Sequence, residues 1–563
     1  MSTVKRVYFY LVYLITLGIF AAGISILLRV CFGLIKQPAI VQIGARSFDR
    51  EMLSLGLAML VIGGVLWFLF WRAIHRATSG NTTEIGSTMR KLIMNIILTV
   101  SSLVGLFAAT DFLRWLMSGT PLDQFPSTSL ANLIVTGIIW YYHWRVTEKE
   151  GHPSPNAITL RRWYVYILSG WGLVSLSFNL VRLVNVAVLN LPVWGTTVIH
   201  SGFWNSSVQS NISWIVLGGS AWAFHWFRMA RGDFESALRQ VYLHLLAIFG
   251  GSIAGLAALT TFLFKLFRYA LGSLSTPTDT YFQFLGWTVP TMIVAAAVWL
   301  FHERVTQEEA MQTKEQVSAR RINYYLMSFL GLGTLIGGVI ILLGILLEMP
   351  IHAVDKPILT TSDWWRDQLG VCLALVVVAT PIWLYFWNKV LKMAAEGINE
   401  RKARSRRIFL YIVVGAAVIT LAADLVNIIY QLLNGVLQGS FGIDVLRHSK
   451  WSLQTLVVAV PVLIYHWRIL RQDQRLGAEA AAVRKTVTVL ANDKAVGLVS
   501  QIEEKLGYKI RILQYLGETP GDLPTLSDEE VSQLVGDIQT TPGTKVMLIA
   551  AGGSITVLPY REK

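Results

Sequence analysis

A short aromatic motif recurs along the chain, and each copy closes a long apolar run and opens a basic one. It reads Trp140-Tyr141-Tyr142-His143-Trp144-Arg145, then Trp222-Ala223-Phe224-His225-Trp226-Phe227, then Trp299-Leu300-Phe301-His302-Glu303-Arg304, then Leu463-Ile464-Tyr465-His466-Trp467-Arg468. Two further copies carry Phe at the histidine position: Trp67-Phe68-Leu69-Phe70-Trp71-Arg72 and Trp383-Leu384-Tyr385-Phe386-Trp387-Asn388. Self-similarity at such a period points to an architecture of repeated units.

A second motif opens each unit, one or two basic residues followed by aromatics. It is seen at Arg6-Val7-Tyr8-Phe9-Tyr10, Arg162-Trp163-Tyr164-Val165-Tyr166, Arg239-Gln240-Val241-Tyr242, Arg321-Ile322-Asn323-Tyr324-Tyr325 and Arg407-Ile408-Phe409-Leu410-Tyr411. Arg90-Lys91 opens the second copy without the aromatics. Openings lie roughly 70 to 86 residues apart. Each copy holds two apolar segments near the ~20 residues that a spanning helix needs. The expectation is an all-α polytopic membrane protein of six tandem two-helix units, giving about twelve transmembrane helices. The units cover 1–76, 77–148, 149–231, 232–307, 308–394 and 395–484, the last with a helical extension. A small cytoplasmic α+β domain follows over 485–563.

Composition agrees. The chain is 54% hydrophobic and 15% charged, with a mean hydropathy of +0.52, too apolar for a soluble protein of this length. Trp and Tyr are abundant, as suits residues that favour the water–lipid boundary. The net charge of +14 does not imply a nucleic-acid partner, because the basic residues sit in short clusters between apolar runs, where topology determinants belong. Cys31 and Cys372 have no zinc-site or disulfide spacing. Lys5-Arg6 followed by an apolar stretch imitates a signal peptide but lacks a small-residue cleavage site, and reads as an uncleaved first helix.

Roughly thirty basic residues fall in the N-terminal pair and the loops after each even-numbered apolar segment, against about a dozen on the other side. The positive-inside rule places the first set, both termini and every closing motif at the cytoplasmic face. The bilayer is then the first partner. Gly18, Gly23, Gly56, Gly63, Gly64, Gly250-Gly251 and Gly337-Gly338 fall inside the apolar runs, where small residues let helix backbones approach. Pro381 and Pro461, two residues before the Trp position of their motifs, read as kinks.

After Arg484-Lys485 the chain turns polar and alternating. Strand-like runs at Thr486–Leu490, Lys509–Tyr515, Lys545–Ala550 and Ser554–Leu558 enclose helical stretches at Asp493–Leu506 and Asp528–Ile538. Ser527 and Glu530 form a capping box, and Ala551-Gly552-Gly553 reads as a hairpin turn. The order β-α-β-α-β-β predicts a domain of ~75 residues, enough to fold alone. Leu470–Val483, a good helix former, carries the last membrane helix towards it.

The paired openings and His-Trp-Arg endings resemble an uncharacterised family of bacterial multi-pass membrane proteins, domain of unknown function 5671, in tandem. The resemblance covers about Lys5 to Arg475 and is sharpest at His143-Trp144-Arg145 and His466-Trp467-Arg468. The chain departs from it at Phe70, Glu303, Phe386 and Asn388. The resemblance implies a bacterial multi-pass protein, which would sit in the inner membrane, and it assigns no activity.

Two sets of residues carry candidate chemistry. His143, His225, His302 and His466 could ligate a b-type haem or a metal. The competing reading is an interfacial belt of Trp, Tyr and His at headgroup level, with the following Arg on lipid phosphate. Phe70 and Phe386, which cannot ligate, favour the belt, so no cofactor is expected. The second set lies late in the odd helices: Asp111, Arg114, Asn179, Arg182, Lys265, Asp424 and Asn427. It reads either as a polar pathway or as an outer interface. Arg114 lies ~35 Å along its helix from Lys91 at 1.5 Å per residue, beyond a ~30 Å hydrocarbon core, which favours the interface. No phosphate-binding Gly-x-x-x-x-Gly-Lys-Ser/Thr loop and no Ser-His-Asp arrangement appears.

The expectation is therefore a non-enzymatic helical scaffold carrying a cytoplasmic interaction or sensory domain, which would meet a protein partner. The alternative is a secondary transporter or channel with its pathway between the units. A haem-bearing redox protein is the third reading.

Overall fold

The computed structural model describes residues 2–33, 45–151, 154–191, 203–272, 278–309, 314–355, 364–439, 441–482, 485–491, 496–514, 526–551 and 554–561. These form two compact units, Met1–Trp387 and Asn388–Lys563.

In the first unit α1 (Thr3–Gly33) packs along α2 (Ala45–Thr78), and the short α3 (Thr82–Ile85) leads to α4 (Thr88–Ser118), which pairs with α5 (Ser127–Glu150). Then come α6 (Pro155–Leu189) and α7 (Ser206–Ala223), the latter prolonged by a π-helical turn, Phe224–Met229. Next, α8 (Ala237–Gln240) runs through a π-helical stretch, Val241–Phe249, into α9 (Gly250–Ala270). After α10 (Thr278–Tyr281), α11 (Leu285–Glu308) packs along α9, and α12 (Lys314–Asp355) precedes α13 (Trp364–Glu396). Ser87, Ser154 and Ser236 cap α4, α6 and α8 by accepting from the backbone N–H three residues on, which satisfies one orphan donor at each start.

Ten of the described helical segments are long and apolar enough to cross a membrane: α1, α2, α4, α6, α8 through α9, α11, α12, α13, α15 and α16. Two helices of the expected twelve, α5 and α7, fall outside that set by composition. In α7 the polar Gln209, Asn211 and Ser213 are buried against neighbouring helices, so polarity here marks a protein-facing side. Helix continues through Pro381 in α13 and Pro461 in α16.

Some of the glycines are contact points. A Cβ at Gly23 would stand 2.7 Å from the Leu60 amide nitrogen, and one at Gly63 would stand 2.8 Å from that of Phe20. Gly338 meets Val376 in the same way, whereas Gly18 and Gly337 have open space. The tightest approach to backbone atoms among the described residues is one the sequence pattern did not single out: Gly172 of α6 against Gly218 and Trp222 of α7. Absent side chains let these helix axes close up.

The second unit contains α14 (Ile398–Arg401), α15 (Arg404–Leu437) and α16 (Ile443–Ala482), with α15 along α16. At 40 residues, α16 is ~60 Å long, twice a ~30 Å hydrocarbon core, and it includes Leu470–Ala482 of the expected extension. Then follow β1 (Thr486–Ala491), α17 (Val496–Leu506), β2 (Arg511–Gln514), α18 (Asp528–Thr540), β3 (Lys545–Ala551) and β4 (Ser554–Pro559). The sheet order is β2-β1-β3-β4, parallel except for β4. Register sets Val487 opposite Val546 and Val489 opposite Leu548, and this face packs on Val499 and Ile502 of α17 and Val531, Leu534 and Ile538 of α18. The Ser527–Glu530 capping box is present. The Gly552-Gly553 turn and the Asp493 helix start lie outside the described residues.

Candidate functional site

The opening and closing motifs, far apart in sequence, meet in space. His225 Nε2 lies 3.1 Å from the Tyr164 hydroxyl, and His302 Nε2 lies 3.3 Å from that of Tyr242. Where the motif carries Phe, ring contact takes over: Phe70 stands edge-on to Phe9 with centroids 5.4 Å apart, and Phe386 meets Tyr324 at 5.9 Å. In the last copy Phe409 occupies the tyrosine position, 6.2 Å from the His466 ring. The second copy opens with Leu92-Ile93, and its His143 instead takes Tyr13 of α1, at 2.9 Å. The motif position thus joins two helices, by hydrogen bond or by ring edge.

The histidine tautomer follows from the backbone. Nδ1 of His143, His225, His302 and His466 faces the carbonyl four residues earlier at 2.7, 2.7, 2.8 and 2.9 Å. A carbonyl oxygen only accepts, so each Nδ1 carries the proton. Nε2 of the neutral ring is then the acceptor, and the tyrosine donates to it. Tryptophans of the preceding copies complete the chain: Trp140 Nε1–H donates to Tyr164 at 3.0 Å and Trp222 Nε1–H to Tyr242 at 2.9 Å. In His143, His225 and His302 both nitrogens are occupied within the bundle.

All four histidines are buried, none more than 5% exposed. The surface positions expected of them are held by their neighbours instead: Tyr8, Tyr141, Trp163, Tyr411 and Trp467 are among the exposed aromatics of these motifs. His143, His225 and His302 each meet a tyrosine hydroxyl that, once buried, needs an acceptor.

A charged lock lies beside each of five such contacts, on acids that the sequence reading passed over. Arg6 holds Glu84 through Nε and Nη2 at 3.0 and 2.9 Å. Arg90 and Lys91 both bind Glu150, Lys91 at 3.0 Å. Arg162 binds Asp233 at 2.6 Å, which also accepts from Tyr166 at 2.8 Å. Arg239 binds Glu309 and lies over the Trp226 ring. In the second unit Arg406 and Arg401 share Asp473, at 2.5 and 3.0 Å. Arg90 and Arg239 sit three residues after their capping serines, where a helix dipole disfavours cations. An acid brought to that end answers both the dipole and the guanidinium. The signal was present in the sequence: Glu150, Glu309 and Asp473 each follow their motif histidine by seven residues.

Glu84, outside the long helices, is held below the usual carboxylate range by its hydrogen bonds from Arg6, against the opposing effect of burial. A carboxylate with a depressed folded-state pKa contributes stability above its unfolded pKa and loses it as pH falls through the folded value. We expect Glu84→Gln to cost ~1.5–3 kcal/mol near neutrality, the range for a charged hydrogen-bonded pair. The gap from wild type should close below about pH 4, where carboxylates protonate. Denaturation midpoints across pH measure it, and a gap constant with pH would refute the assignment.

The second candidate set is used locally. Asp111 and Arg114 pair at 3.5 Å, both half-exposed. Asn179 turns to the Ser175 carbonyl of its own helix at 2.8 Å, Arg182 lies 5.7 Å from the Phe178 ring and Lys265 5.5 Å from the Tyr281 ring. Asp424 is buried, accepts from Thr455 at 2.8 Å, and has Asn427–Ser452 one turn away at 2.9 Å. Asp424 lies ~27 Å along α15 from Arg406, at the far edge of a ~30 Å core.

Two cavities lie against α1, α2 and α5, the second also against α4. One, of about 280 Å³, is apolar, lined by Leu17, Phe20, Ile24, Ile134 and Ile138. The other, of about 480 Å³, is lined by His75, Thr78, Arg90, Lys149 and Glu150. They share Trp71 and Tyr142, which hydrogen-bond at 2.7 Å. Among the described residues no cluster of three or more His, Cys, Asp or Glu could hold a metal, and Cys31 and Cys372 are free thiols.

Ten membrane-length helices, interlocked by buried polar contacts, define a multi-pass membrane protein. Residues 6–125, 191–292 and 321–445 match the family model described as domain of unknown function DUF5671. These segments make up more than half of the chain, and the protein belongs to that family. No curated protein and no solved structure matches it.

Proposed function

We propose that the chain is a non-enzymatic inner-membrane scaffold of six two-helix repeats, twelve spans in all, that carries a cytoplasmic interaction or sensory domain at 485–563. The observation that carries this reading is where the recurring polar groups go. The motif histidines, their tyrosines and tryptophans, and the opener–acid pairs are used to fasten helix to helix at the basic end. A catalytic or ligating set needs side chains held ready for something else.

Twelve spans require α5 and α7 to cross. Each, with the π turn added to α7, has 24 residues, about 36 Å of helix. Their polar faces are met by neighbouring helices, which is how a polar span is tolerated in lipid. The one-sided basic loops put Thr486–Lys563 in the cytoplasm.

A fragment from Lys485 to Lys563 is expected to be soluble and to unfold cooperatively with a mixed α/β circular dichroism spectrum. A fragment that is disordered, or that needs detergent, contradicts the separate domain on which the reading depends. The transporter alternative draws on the two cavities joined at Trp71–Tyr142. It would require solute flux through vesicles bearing the full chain, where a scaffold gives none.

A further inference from the structure

One buried histidine of the bundle stands apart from the four in the closing motifs. His244 lies in the π-helical stretch Val241–Phe249, only 7% exposed. The motif histidines all tie Nδ1 to a carbonyl four residues back, but Nδ1 of His244 has no hydrogen-bond partner. The stretch is π-helical, and such segments recur at functional sites. Across a groove of about 460 Å³ stands Asn323 of α12, which also lines it. Asn323 is 5% exposed, and its Oδ1 is likewise unpartnered. Two buried polar atoms without partners, on two residues that line one groove from two helices, are each costly unless a partner is supplied.

The rest of the groove states what that is. Its walls are Val241, Leu245, Ile322 and Leu326, and the first three are about half exposed on the outer surface of membrane-length helices. Ala237, Gln240, Ser318 and Ala319 line its other end, at the basic boundary, so the groove runs from that boundary down a lipid-facing wall. His244 lies five residues beyond Arg239, ~7 Å below the basic boundary at 1.5 Å per residue, and Asn323 is two residues past Arg321. Arg320, exposed one turn before Asn323, supplies a cation at that level. A hydrogen-bonding head at this depth, with an apolar tail beside Leu245 and Leu326, is a membrane lipid.

We propose that the groove between Val241–Leu245 and Ile322–Leu326 is a specific site for one phospholipid whose headgroup carries a hydrogen-bond donor, an ammonium or a hydroxyl. Asn323 Oδ1 can only accept, so the head must donate to it. His244 Nδ1–H donates to an oxygen of the phosphate or ester, and Arg320 balances the phosphate charge.

Native mass spectrometry of the full-length protein in detergent tests this, with phosphatidylethanolamine, phosphatidylglycerol and phosphatidylcholine of identical acyl chains. The choline head has a phosphate but no donor. One molecule of ethanolamine or glycerol lipid should bind at least ~10-fold tighter than the choline lipid, the effect of about one good hydrogen bond. Asn323→Leu should abolish that preference, and Val61→Ala, on a lipid-facing surface outside the groove, should keep it. Equal binding of all three lipids to the wild type overturns the proposal without recourse to any variant. So does a preference that survives in Asn323→Leu.

Discussion

Glu150→Ala should be the most damaging single substitution at the basic end of the first unit. Glu150 is shared by Arg90 and Lys91; the two cations are 5% and 0% exposed, and Lys91 is otherwise tied to the Gly151 carbonyl at 2.9 Å. Removing one partner of a buried ion pair leaves an uncompensated charge and costs ~3–5 kcal/mol. Here two charges are stranded, so the upper end of that range is expected. Glu148, two residues earlier, is the control: its pair with Arg161 is 3.2 Å long, with the side chains 43% and 31% exposed, and such pairs contribute ~0–1 kcal/mol. Denaturation of the two variants in mixed micelles measures the difference. Comparable losses would mean that Glu150 is not the keystone of this lock.

Gly172→Val should be nearly as damaging for a steric reason. Its Cβ would fall 2.6 Å from the Trp222 amide nitrogen and 2.7 Å from the Gly218 carbonyl oxygen. Both are backbone atoms, so α6 and α7 must separate. Overpacking of this kind costs ~1–3 kcal/mol, and more where the backbone must move. Separation would also pull Tyr164 on α6 away from His225 just beyond α7, so the polar chain should fail with the packing. Gly18→Ala, with open space around it, should be neutral or gain up to ~1 kcal/mol from helix propensity. Thermal midpoints report both, and a well-folded Gly172→Val protein would show that the helices are not held at this distance.

The repeat was legible because each copy spends its few polar residues at the same place in an otherwise apolar pattern. What those residues face was not. A membrane helix is apolar towards both lipid and protein, so periodicity does not tell which side of α5 carries His143, and an interfacial belt was the natural expectation. The contact that buries it comes from Tyr13, far back in the chain, because the second copy has Leu92-Ile93 where its own aromatics would stand. The acids of the locks were in view at regular spacing, but topology is read from Lys and Arg alone, and Glu150, Glu309 and Asp473 carry no weight in that reading. Similarly, Gln209, Asn211 and Ser213 lower the hydropathy of α7 although they are buried, because a hydropathy sum does not separate a buried polar face from an exposed one. The C-terminal domain was the most legible part: its strands alternate, Ser527 and Glu530 mark a helix start, and water on one side gives the pattern its contrast.

The central proposal is that each repeat crosses the membrane twice and closes its motif on the cytoplasmic side. Compartment reporters placed after Thr120, after Gly151 and after Lys563 of the full chain test it most directly. The account predicts a periplasmic signal at Thr120 and cytoplasmic signals at Gly151 and Lys563. Thr120 and Gly151 on the same side would mean that α5 does not cross, and a periplasmic Lys563 would place the α/β domain, and with it the scaffold reading, on the wrong side of the membrane.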